Sequence, residues 1–590
     1  MVNNLKRTHY CNEISKKLLG KVVTICGFVQ KVRNLGNLIF IDIRDRSGFV
    51  QLAFNNNSDK KILQLAQQVK AEFVVAAKGE VTTRSSINTT IENGDIEIYV
   101  TEFAILSKAK TPPFEISNNT NVNEELRLKY RYLDLRRPEF QNTLKIRHNI
   151  VKAARDYYDE HGFLEIETPV LIKSTPEGAR DYLVPSRVHN GCFFALPQSP
   201  QLYKQILMVA GYDRYMQVAR CFRDEDLRAD RQPEFTQIDM EMSFVDEDDV
   251  MAINEGFIKF LFKKIMNLDI PTPFKRLPYN EAMARFGSDK PDMRFGMELV
   301  DISDILQQCE FKVFYSAIKA GGSVRAINVK NSADILTRKE IDKLVEVVKR
   351  YKAKGLAFSR FIDGNVTSSF EKYLNTDEVK NIHKKMNFEN NDVILIVADL
   401  DNDIVFNSLG NLRCDLAKRL NLIPKNEFNF LWVTDFPLFE YNKDENRYEP
   451  KHHPFTSPKL NQINKLDSDL GNVKACAYDM ILNGCEVGGG SIRIHDQQLQ
   501  QKIFDIIGLS KEVANERFGF LLEAFQYGVP PHGGMAYGLD RLVMLMLNKD
   551  SIRDVIAFPK VQNSSELMTK CPSYVDKTCL EELGLSILKG

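Results

Sequence analysis

Two arginine-containing motifs, far apart in the chain, are the strongest candidates for chemistry. The first is Cys221-Phe222-Arg223-Asp224-Glu225, and the second is the glycine-containing run Gly534-Met535-Ala536-Tyr537-Gly538-Leu539-Asp540-Arg541. A planar guanidinium donates paired hydrogen bonds to phosphate or carboxylate groups, and glycine lets the backbone approach closely. Either motif alone is weak, because an isolated Phe-Arg-x-Glu is more often a strand edge with a surface ion pair. Their order and their neighbours therefore decide the interpretation.

Several other polar segments could bind small charged substrates. They are the loop Ser174 to Ala179, the helix start Gln198 to Gln205, Arg231 to Phe235, His452 to Thr456 and Asp479 to Arg493. Each has an ordinary structural alternative. A lone lysine on a helix is normally solvated, adjacent histidines are most often a loop feature, and two acids seven residues apart are usually surface charges.

In this order, the segments resemble class II aminoacyl-tRNA synthetases, and most specifically the bacterial-type aspartyl-tRNA synthetases. The two arginine motifs resemble the second and third signature motifs of the class. A predicted helix from Thr143 to His161, followed by Gly162 to Pro169, resembles the first motif, which forms the dimer interface in that family. The segment from Pro291 to Pro424 resembles the bacterial-type insertion domain. The resemblance covers essentially the whole chain.

The resemblance implies ATP-dependent attachment of L-aspartate to tRNA-Asp, through aspartyl-adenylate and then transfer to the 3′-terminal ribose. It implies that Arg223 and Arg541 are catalytic. The implied aspartate ligands are Glu177, Gln201, Lys204, Arg223, His452 and Arg493. The implied ATP ligands are Arg223, Asp224, Glu225, Gln232, Glu486, Gly538, Leu539, Asp540 and Arg541. Asp479 and Glu486 would hold Mg²⁺, a hard cation that prefers oxygen ligands and bridges phosphates.

These residue types suit that reaction. A carboxylate is already a nucleophile at neutral pH, so activation needs positioning and charge stabilisation and no strong general base. Lys204 and Arg493 carry only hydrogen-bond donors, so they would accept a side-chain carboxylate and reject the amide of asparagine. Glu177 and Gln201 would hold the α-ammonium group, and His452, with His453, would line the pocket and make the response pH-sensitive.

Length and composition limit the alternatives. The 590 residues are enough for three or four domains. Lys plus Arg and Asp plus Glu both number 79, so nucleic acid would have to bind to local patches and not to a bulk positive charge. Ten cysteines without a Cys-x-x-Cys pair indicate reduced thiols and no structural zinc. Without a signal peptide or a long apolar stretch, the chain is expected to be soluble and cytoplasmic.

The N-terminal segment supplies the elements of a small barrel. Strands are predicted at Val22 to Val29, Leu38 to Arg44, Phe49 to Phe54, Phe73 to Val81 and Ile96 to Ile105, with a helix from Lys60 to Val69. A helix after the third of five strands is the order of an OB-fold, a common platform for single-stranded nucleic acid. The candidate anticodon-binding residues are Arg33, Leu35, Phe40, Gln51 and Arg84. Alternation alone does not show whether Phe40 faces the core or a base.

The predicted fold is multidomain α+β. It has an N-terminal OB-fold barrel, a class II catalytic domain built on an antiparallel sheet with flanking helices, and an inserted α+β domain. The predicted boundaries are 1–107 for the barrel, 108–125 for a linker, 126–290 and 425–590 for the two catalytic parts, and 291–424 for the insertion. The insertion includes an apolar run from Val393 to Ala398 but no visible active-site constellation.

Three functional alternatives stay open at this stage. A non-discriminating aspartyl enzyme would also charge tRNA-Asn, and that difference would lie around Leu35 and Arg84. Asparaginyl- and lysyl-tRNA synthetases share the barrel and the catalytic body, but Lys204 with Arg493 and the large insertion argue against them. A non-catalytic tRNA-binding paralogue is disfavoured by the presence of both arginines and both acids. A homodimer is expected from the resemblance alone.

Overall fold

The N-terminal barrel forms because β-branched residues alternate with polar ones along five strands. A computed structural model describes residues 5–36, 38–89, 93–175 and 178–588 of the chain. The strands are β1 Val22–Asn34, β2 Ile39–Arg44, β3 Phe49–Phe54, β4 Val74–Thr83 and β5 Ile96–Ser107, and helix α1 spans Lys60–Gln67. They close in the order β1-β2-β3-β5-β4, which confirms the predicted OB-fold. β1 is five residues longer than predicted, and the Gly48 carbonyl closes the turn between β2 and β3 by accepting the Asp45 N–H.

In β2, Ile39, Ile41 and Ile43 fill the barrel, so Phe40 and Arg44 lie on its outer surface. This alternation settles the face of Phe40, which the sequence left open. The Asp59 side chain caps α1 by accepting the backbone N–H of Lys61.

Three helices follow the barrel in the sequence. Two are short, α2 Glu124–Lys129 and α3 Arg131–Asp134, and the third is the long helix α4 Pro138–Glu160. Helix α4 starts five residues before the predicted Thr143, because Pro138 suits the first turn of a helix. The buried Asp134 pairs with Arg131 and Arg137, each at 2.7 Å. Arg131 also donates to the carbonyl groups of Ile556 and Ala557.

The chain forms two compact units. One runs from the N-terminus to residue 147 and includes 553–574, and the other contains 148–552 and the residues after 574. The sequence-based boundaries grouped 553–574 with the catalytic body. Its carbonyl groups instead receive hydrogen bonds from Arg131, which explains why this segment belongs to the first unit.

The second unit is built on an eight-stranded sheet. The first part of this unit supplies four strands of the sheet: β6 Leu164–Glu165, β9 Arg214–Phe222, β10 Glu234–Ser243 and β11 Lys275–Pro278. It also contains a separate hairpin, β7 Leu183–Pro185 and β8 Phe193–Ala195. The helices of this part are α5 Gln201–Val209, α6 Glu247–Met266 and α7 Tyr279–Phe286. Asp246 caps α6 with a reciprocal capping box, and Asn267 ends it in the left-handed conformation.

The insertion has its own five-stranded antiparallel sheet in the order β12-β13-β16-β14-β15. The strands are β12 Val300–Asp301, β13 Ser323–Val329, β14 Ala357–Ile362, β15 Asn365–Ser368 and β16 Val393–Asp399. Helices α8 Lys312–Lys319, α9 Arg338–Lys349, α10 Thr376–Lys385 and α11 Asn402–Arg419 surround it. The apolar run at 393–398 is the central strand, and it is apolar on both faces because two hydrophobic cores pack against it.

Four further strands complete the large sheet: β17 Phe430–Thr434, β20 Ala477–Leu482, β21 Cys485–Ile492 and β22 His532–Gly538. Between them, β18 Phe439–Asn442 and β19 Arg447–Pro450 form a separate small hairpin. Helices α12 Gln497–Ile506, α13 Lys511–Phe525, α14 Leu539–Met546 and α15 Lys577–Glu582 accompany them. The sheet order is β11-β17-β20-β21-β22-β10-β9-β6, antiparallel except at its two edge pairs.

All ten cysteines are free thiols, and seven of them are buried or partly buried. No helix among the described residues is long and apolar enough to cross a membrane. Within the same residues, no group of three or more His, Cys, Asp or Glu side chains could hold a metal ion.

Candidate active site

A cavity of about 570 Å³ opens on the centre of the eight-stranded sheet. Its floor is a row of residues that are opposite one another on four neighbouring strands: Asp479, Gly489, Ala536 and Asp239. Two small residues between two acids leave room for a ligand above the sheet. Twelve of the predicted site residues line this cavity: Gln201, Lys204, Arg223, Glu225, Gln232, His452, Asp479, Glu486, Arg493, Gly538, Asp540 and Arg541.

Two other predicted residues do not line it. Asp224 points away and lies 3.5 Å from Arg180 in an exposed ion pair. The side chain of Leu539 is packed in the protein core. Glu177 is outside the described residues, and its role stays a prediction.

Lys204 and Arg493 lie in one buried network with two acids of β10. The Lys204 ammonium group is 2.6 Å from Asp239 and 3.2 Å from Glu241. Arg493 donates two hydrogen bonds to Glu241, at 2.9 and 3.1 Å. All four side chains are nearly inaccessible to solvent, so the two positive charges are held where water does not screen them.

The two acids of this network differ in pKa. Burial alone would raise the pKa of Glu241, but the charges of Arg493 and Lys204 outweigh it and bring the pKa to about 2. Burial raises the pKa of Asp239, even though Lys204 opposes the shift. Asp239 Oδ2 and Gln201 Nε2 are both buried without a hydrogen-bond partner among the described residues. Two unsatisfied polar atoms at one cavity wall indicate a site for a polar ligand.

Both histidines line the cavity and titrate below neutral pH. His453 Nε2 lies 2.9 Å from Arg493 Nη1, so the ring accepts from a permanent cation. Burial, followed by the charge of Arg493, lowers the pKa of His453 well below its usual range. Burial and the neighbouring Lys451 lower the pKa of His452 to about 4. The pH sensitivity expected for His452 therefore moves to acidic pH.

Arg223 lies directly after β9, where the backbone N–H bonds the carbonyl group of Pro233 across the hairpin. Its guanidinium group lies 5.0 Å from the centre of the Phe235 ring. In the part of the chain that the structure describes, no carboxylate pairs with it. Glu225 pairs with Arg231 at 2.6 Å and not with Arg223. Arg223 thus presents an uncompensated cation to the cavity beside an aromatic ring.

Asp479 and Glu486 converge over Gly489. A methyl group on Gly489 would collide with the Asp479 carboxylate and lie 3.5 Å from that of Glu486. Within the described ranges, neither carboxylate has a hydrogen-bonded or ion-paired partner. Burial, followed by the charge of Glu486, raises the pKa of Asp479 well above its usual range. Unpaired carboxylates that destabilise each other fit the requirements of a divalent cation, because Mg²⁺ is commonly bound by one or two carboxylates plus phosphate oxygens.

The second arginine motif forms the turn from β22 into α14. Arg541 donates to the backbone carbonyl of Glu486 at 2.6 Å and pairs with Asp230 at 3.2 Å. A methyl group on Gly538 would meet only the Arg541 Cβ, at 3.8 Å, so the backbone is open to the cavity there. Asp540 accepts the N–H of Thr236 on β10 at 3.0 Å, which ties the motif to the neighbouring strand.

The barrel carries a separate polar cluster on its outer face. Arg33 and Arg84 each donate to the side-chain oxygen of Gln51 at 2.6 Å, and the Gln51 amide donates to Glu97. The Arg33 guanidinium lies 5.6 Å from the Phe40 ring. The structure therefore brings together four of the five predicted anticodon residues. Leu35 lies in the adjacent loop and is 70% exposed.

Sequence reasoning missed several residues of these sites, among them Asp239, Glu241 and Glu97. A signal existed for the first two, because Gln237, Asp239 and Glu241 alternate with apolar residues and must share one face of β10. Acids in that pattern usually face solvent. Only the sheet order shows that β10 lies between β9 and β22, with its polar face in the cavity.

Comparisons with known proteins agree with this architecture. The family described as "tRNA synthetases class II (D, K and N)" matches residues 123–562, and "OB-fold nucleic acid binding domain" matches residues 23–106. The chain is 59% identical to an aspartate–tRNA ligase of Ruminiclostridium cellulolyticum, over 100% of this chain and 99% of the relative. It is 55% identical to an aspartate–tRNA(Asp/Asn) ligase of Caldanaerobacter subterraneus subsp. tengcongensis, over 99% of each.

Among solved structures, the fold is similar to that of asparaginyl-tRNA synthetase from Pyrococcus horikoshii in complex with asparaginyl-adenylate. The TM-score is 0.59 at 20% identity, and the match covers 94% of this chain and 98% of the other. At this identity the likeness concerns the fold.

Proposed function

Because the chain belongs to the class II aminoacyl-tRNA synthetases of the aspartate, lysine and asparagine group, we propose that it joins L-aspartate to tRNA-Asp with ATP. It is an aspartate–tRNA ligase by its full-length identity to such enzymes. The observation that carries the substrate assignment is the buried pair Lys204 and Arg493, which faces the same cavity as the unpaired Arg223.

Counting donors explains the preference for aspartate. The Lys204 ammonium group has three N–H donors and two carboxylate partners, so one donor stays available. Arg493 has five N–H donors, of which two bond Glu241, one bonds His453 and one bonds Ser491, so one donor is left. Two remaining donors match the two oxygens of a side-chain carboxylate. The amide of asparagine would place its own N–H group against a donor, and the ammonium group of lysine would meet two cations.

The α-ammonium group of aspartate would bind near the unsatisfied atoms Asp239 Oδ2 and Gln201 Nε2. The α-ammonium group would donate one hydrogen bond to the Asp239 carboxylate. It would donate another to the side-chain oxygen of Gln201, which faces the ligand if the Gln201 amide is flipped. Glu177 would add a second carboxylate, as the family resemblance implies. The α-carboxylate would then extend towards Arg223.

ATP would occupy the other end of the cavity. Arg223 would hold the α-phosphate. The adenine ring would stack on Phe235, and Gln232 would contact the adenine. Arg541, anchored through Glu486 and Asp230, would reach the far phosphate. Asp479 and Glu486 would hold Mg²⁺, which neutralises phosphate charge when it is bound.

The chain's residues then act by positioning. An oxygen of the aspartate α-carboxylate attacks the α-phosphorus, a phosphorus–oxygen bond forms, and the bond to the leaving pyrophosphate breaks. Arg223 donates to both reacting anions and stabilises the charge that develops between them. In the second step, a ribose hydroxyl of tRNA attacks the carbonyl carbon of the adenylate, and AMP leaves. The neutral histidines and the buried network keep water away from this mixed anhydride.

The tRNA would bind to the barrel through its anticodon and to the catalytic unit through its acceptor end. The cluster of Arg33, Gln51 and Arg84 offers hydrogen bonds to base edges, and Phe40 offers a stacking surface. Such an enzyme would act in the cytoplasm, where tRNA is charged.

A homodimer is part of the proposal. Large apolar side chains are exposed together in the segment that includes the edge strand β6 and the hairpin β7–β8: Leu164, Val170, Leu171, Leu183, Val188 and Phe193. Monomers rarely expose so many neighbouring apolar residues, and an edge strand is a common pairing surface. Gel filtration with light scattering tests this assembly.

The test of function is ATP–pyrophosphate exchange with aspartate, asparagine and lysine, followed by charging of tRNA-Asp and tRNA-Asn transcripts at one salt concentration. Aspartate alone should support exchange, and tRNA-Asp should be charged. Exchange with asparagine or lysine and not with aspartate would contradict the assignment. Equal charging of both transcripts would identify a non-discriminating enzyme, as the name of one relative states for that protein.

A further inference from the structure

A second cavity, of about 310 Å³, lies on the outer surface of the barrel. Four arginines line it: Arg7, Arg44, Arg46 and Arg136. The proposed function does not use this cavity. It lies where Phe28 of β1 is opposite Arg44 of β2, whereas the anticodon cluster lies at the other end of the same strand pair.

One wall of this arginine pocket is rigid. Arg44 donates to both carboxylate oxygens of Glu72, at 2.6 and 2.7 Å, and Arg136 bonds the same carboxylate at 2.8 Å. The Arg136 guanidinium also stacks on Phe28, 4.1 Å from the ring centre. Glu72 has a φ of 66°, an unfavourable conformation for a residue with a side chain. The fold therefore tolerates local strain at the residue that holds two guanidinium groups in place.

The other wall is available to a ligand. Arg7 and Arg46 lie 4.7 and 5.0 Å from the centre of the Tyr10 ring. Arg7 donates to the carbonyl group of Cys26, but in the described residues no carboxylate pairs with Arg7 or with Arg46. Both side chains are exposed. Four guanidinium groups face two carboxylates, Glu72 and Asp45, which leaves an excess of two positive charges.

We propose that this pocket binds backbone phosphates of the tRNA next to the anticodon loop. The inference rests on the proposed function, because it takes tRNA as the polyanion. Phe40, Asp42 and Arg44 project outwards from the same strand, so one surface connects the anticodon cluster with the pocket. Four residues of strand span about 13 Å, which corresponds to about four nucleotides of stacked strand at ~3.4 Å each. Guanidinium groups bind phosphate through paired hydrogen bonds, and Tyr10 keeps two of them oriented.

The test uses the full-length protein with Arg7→Gln, Arg46→Gln and the double variant. Both side chains are exposed, so the fold should not change. Fluorescence anisotropy measures tRNA affinity across a potassium chloride series. The association constant for tRNA falls as salt rises, and each substitution should make the slope of its logarithm against log salt less negative by about 0.7 to 0.9. The double variant should raise the KM for tRNA about tenfold. The losses should be equal for tRNA-Asp and an unrelated tRNA, because phosphate contacts carry no sequence information.

A matched control removes one positive charge elsewhere on the barrel. Lys78 on β4 is paired with Glu102 of β5 at 2.6 Å, and Lys78→Gln should leave the slope unchanged. An unchanged slope in the Arg7 and Arg46 variants would overturn the proposal. The proposal would also fail if the unaltered protein binds inorganic phosphate in this pocket but the variants bind tRNA with unaltered affinity. ATP–pyrophosphate exchange should be normal in every variant, and its absence in the unaltered protein would instead refute the proposed function.

Discussion

Arg223→Gln separates catalysis from folding more cleanly than any other change in the cavity. The guanidinium group has no carboxylate partner among the described residues, and its nearest aromatic neighbour is Phe235 at 5.0 Å. Removing it costs the fold at most a cation–π contact of about 0.5–1 kcal/mol. The proposed reaction, in contrast, loses a cation that would touch both reacting anions.

The size of the loss follows from hydrogen bonds to charged groups. Two charge-assisted bonds of about 1.5–3 kcal/mol each give about 3–6 kcal/mol. At roughly 1.4 kcal/mol per factor of ten, kcat/KM for adenylation should fall by about 10² to 10⁴. Because Gln232, Arg541 and the two acids Asp479 and Glu486 also line the cavity, ATP itself should still bind, only more weakly.

The assay is ATP–pyrophosphate exchange with aspartate, together with a thermal unfolding curve. The matched control is Arg220→Gln, on the preceding strand β9, where Arg220 is exposed and pairs with Glu234 at 2.5 Å. Both variants should unfold within ~3 °C of the unaltered protein. Only Arg223→Gln should lose exchange. Normal exchange in Arg223→Gln, or equal losses in both variants, would refute the reasoning.

Three further changes address the rest of the cavity. Lys204→Met leaves Asp239 and Glu241 buried with fewer partners; it should destabilise the protein by about 3–5 kcal/mol in denaturant unfolding and lower kcat/KM for aspartate at least ~10³-fold. Asp479→Asn removes one of two unpaired carboxylates; it should raise the Mg²⁺ concentration needed for exchange and weaken Mn²⁺ binding measured by electron paramagnetic resonance in the presence of ATP. Burial lowers the pKa of folded His452 to about 4, so the unfolded chain binds more protons between that pH and about 6.5. Stability should therefore rise with pH across this window, and His452→Asn should flatten the rise in urea unfolding series.

The barrel was predictable from the sequence because its signal is local. Alternation along β2 and β3 and the Asp45–Gly48 turn lie within a few residues of one another. The central insertion strand was equally visible as an apolar run, since a strand covered on both faces loses its alternation. The length of β1 was not predictable, because residues 30–34 are polar apart from Val32, which packs against the core, and this stretch is held as strand by its pairing with β2.

The charges of the cavity show what local patterns leave out. Lys204 and Arg493 were identified through the family resemblance of their segments, yet the sequence treated them as bare cations. Their partners on β10 lie 35 and 252 residues away along the chain, and neither separation has a sequence signature. Whether such a residue is solvated or buried depends on the order of strands in the sheet, which is a long-range property.

The ion pairs of Lys204 and Arg493 with Asp239 and Glu241 change how substrate specificity is explained, and not only which residues are involved. Two bare buried cations would attract any anion and would themselves be costly to bury. With Asp239 and Glu241 in place, the four charges balance before the substrate arrives, and among the described residues one donor on Lys204 and one on Arg493 stay unused. In the proposed function, affinity would then depend on geometry, because a carboxylate would have to present two oxygens to two fixed N–H groups. Glu241 would be as important for rejecting asparagine as the cations, since its two hydrogen bonds orient Arg493. A substitution of Glu241 would leave the donors present but free to turn towards other ligands.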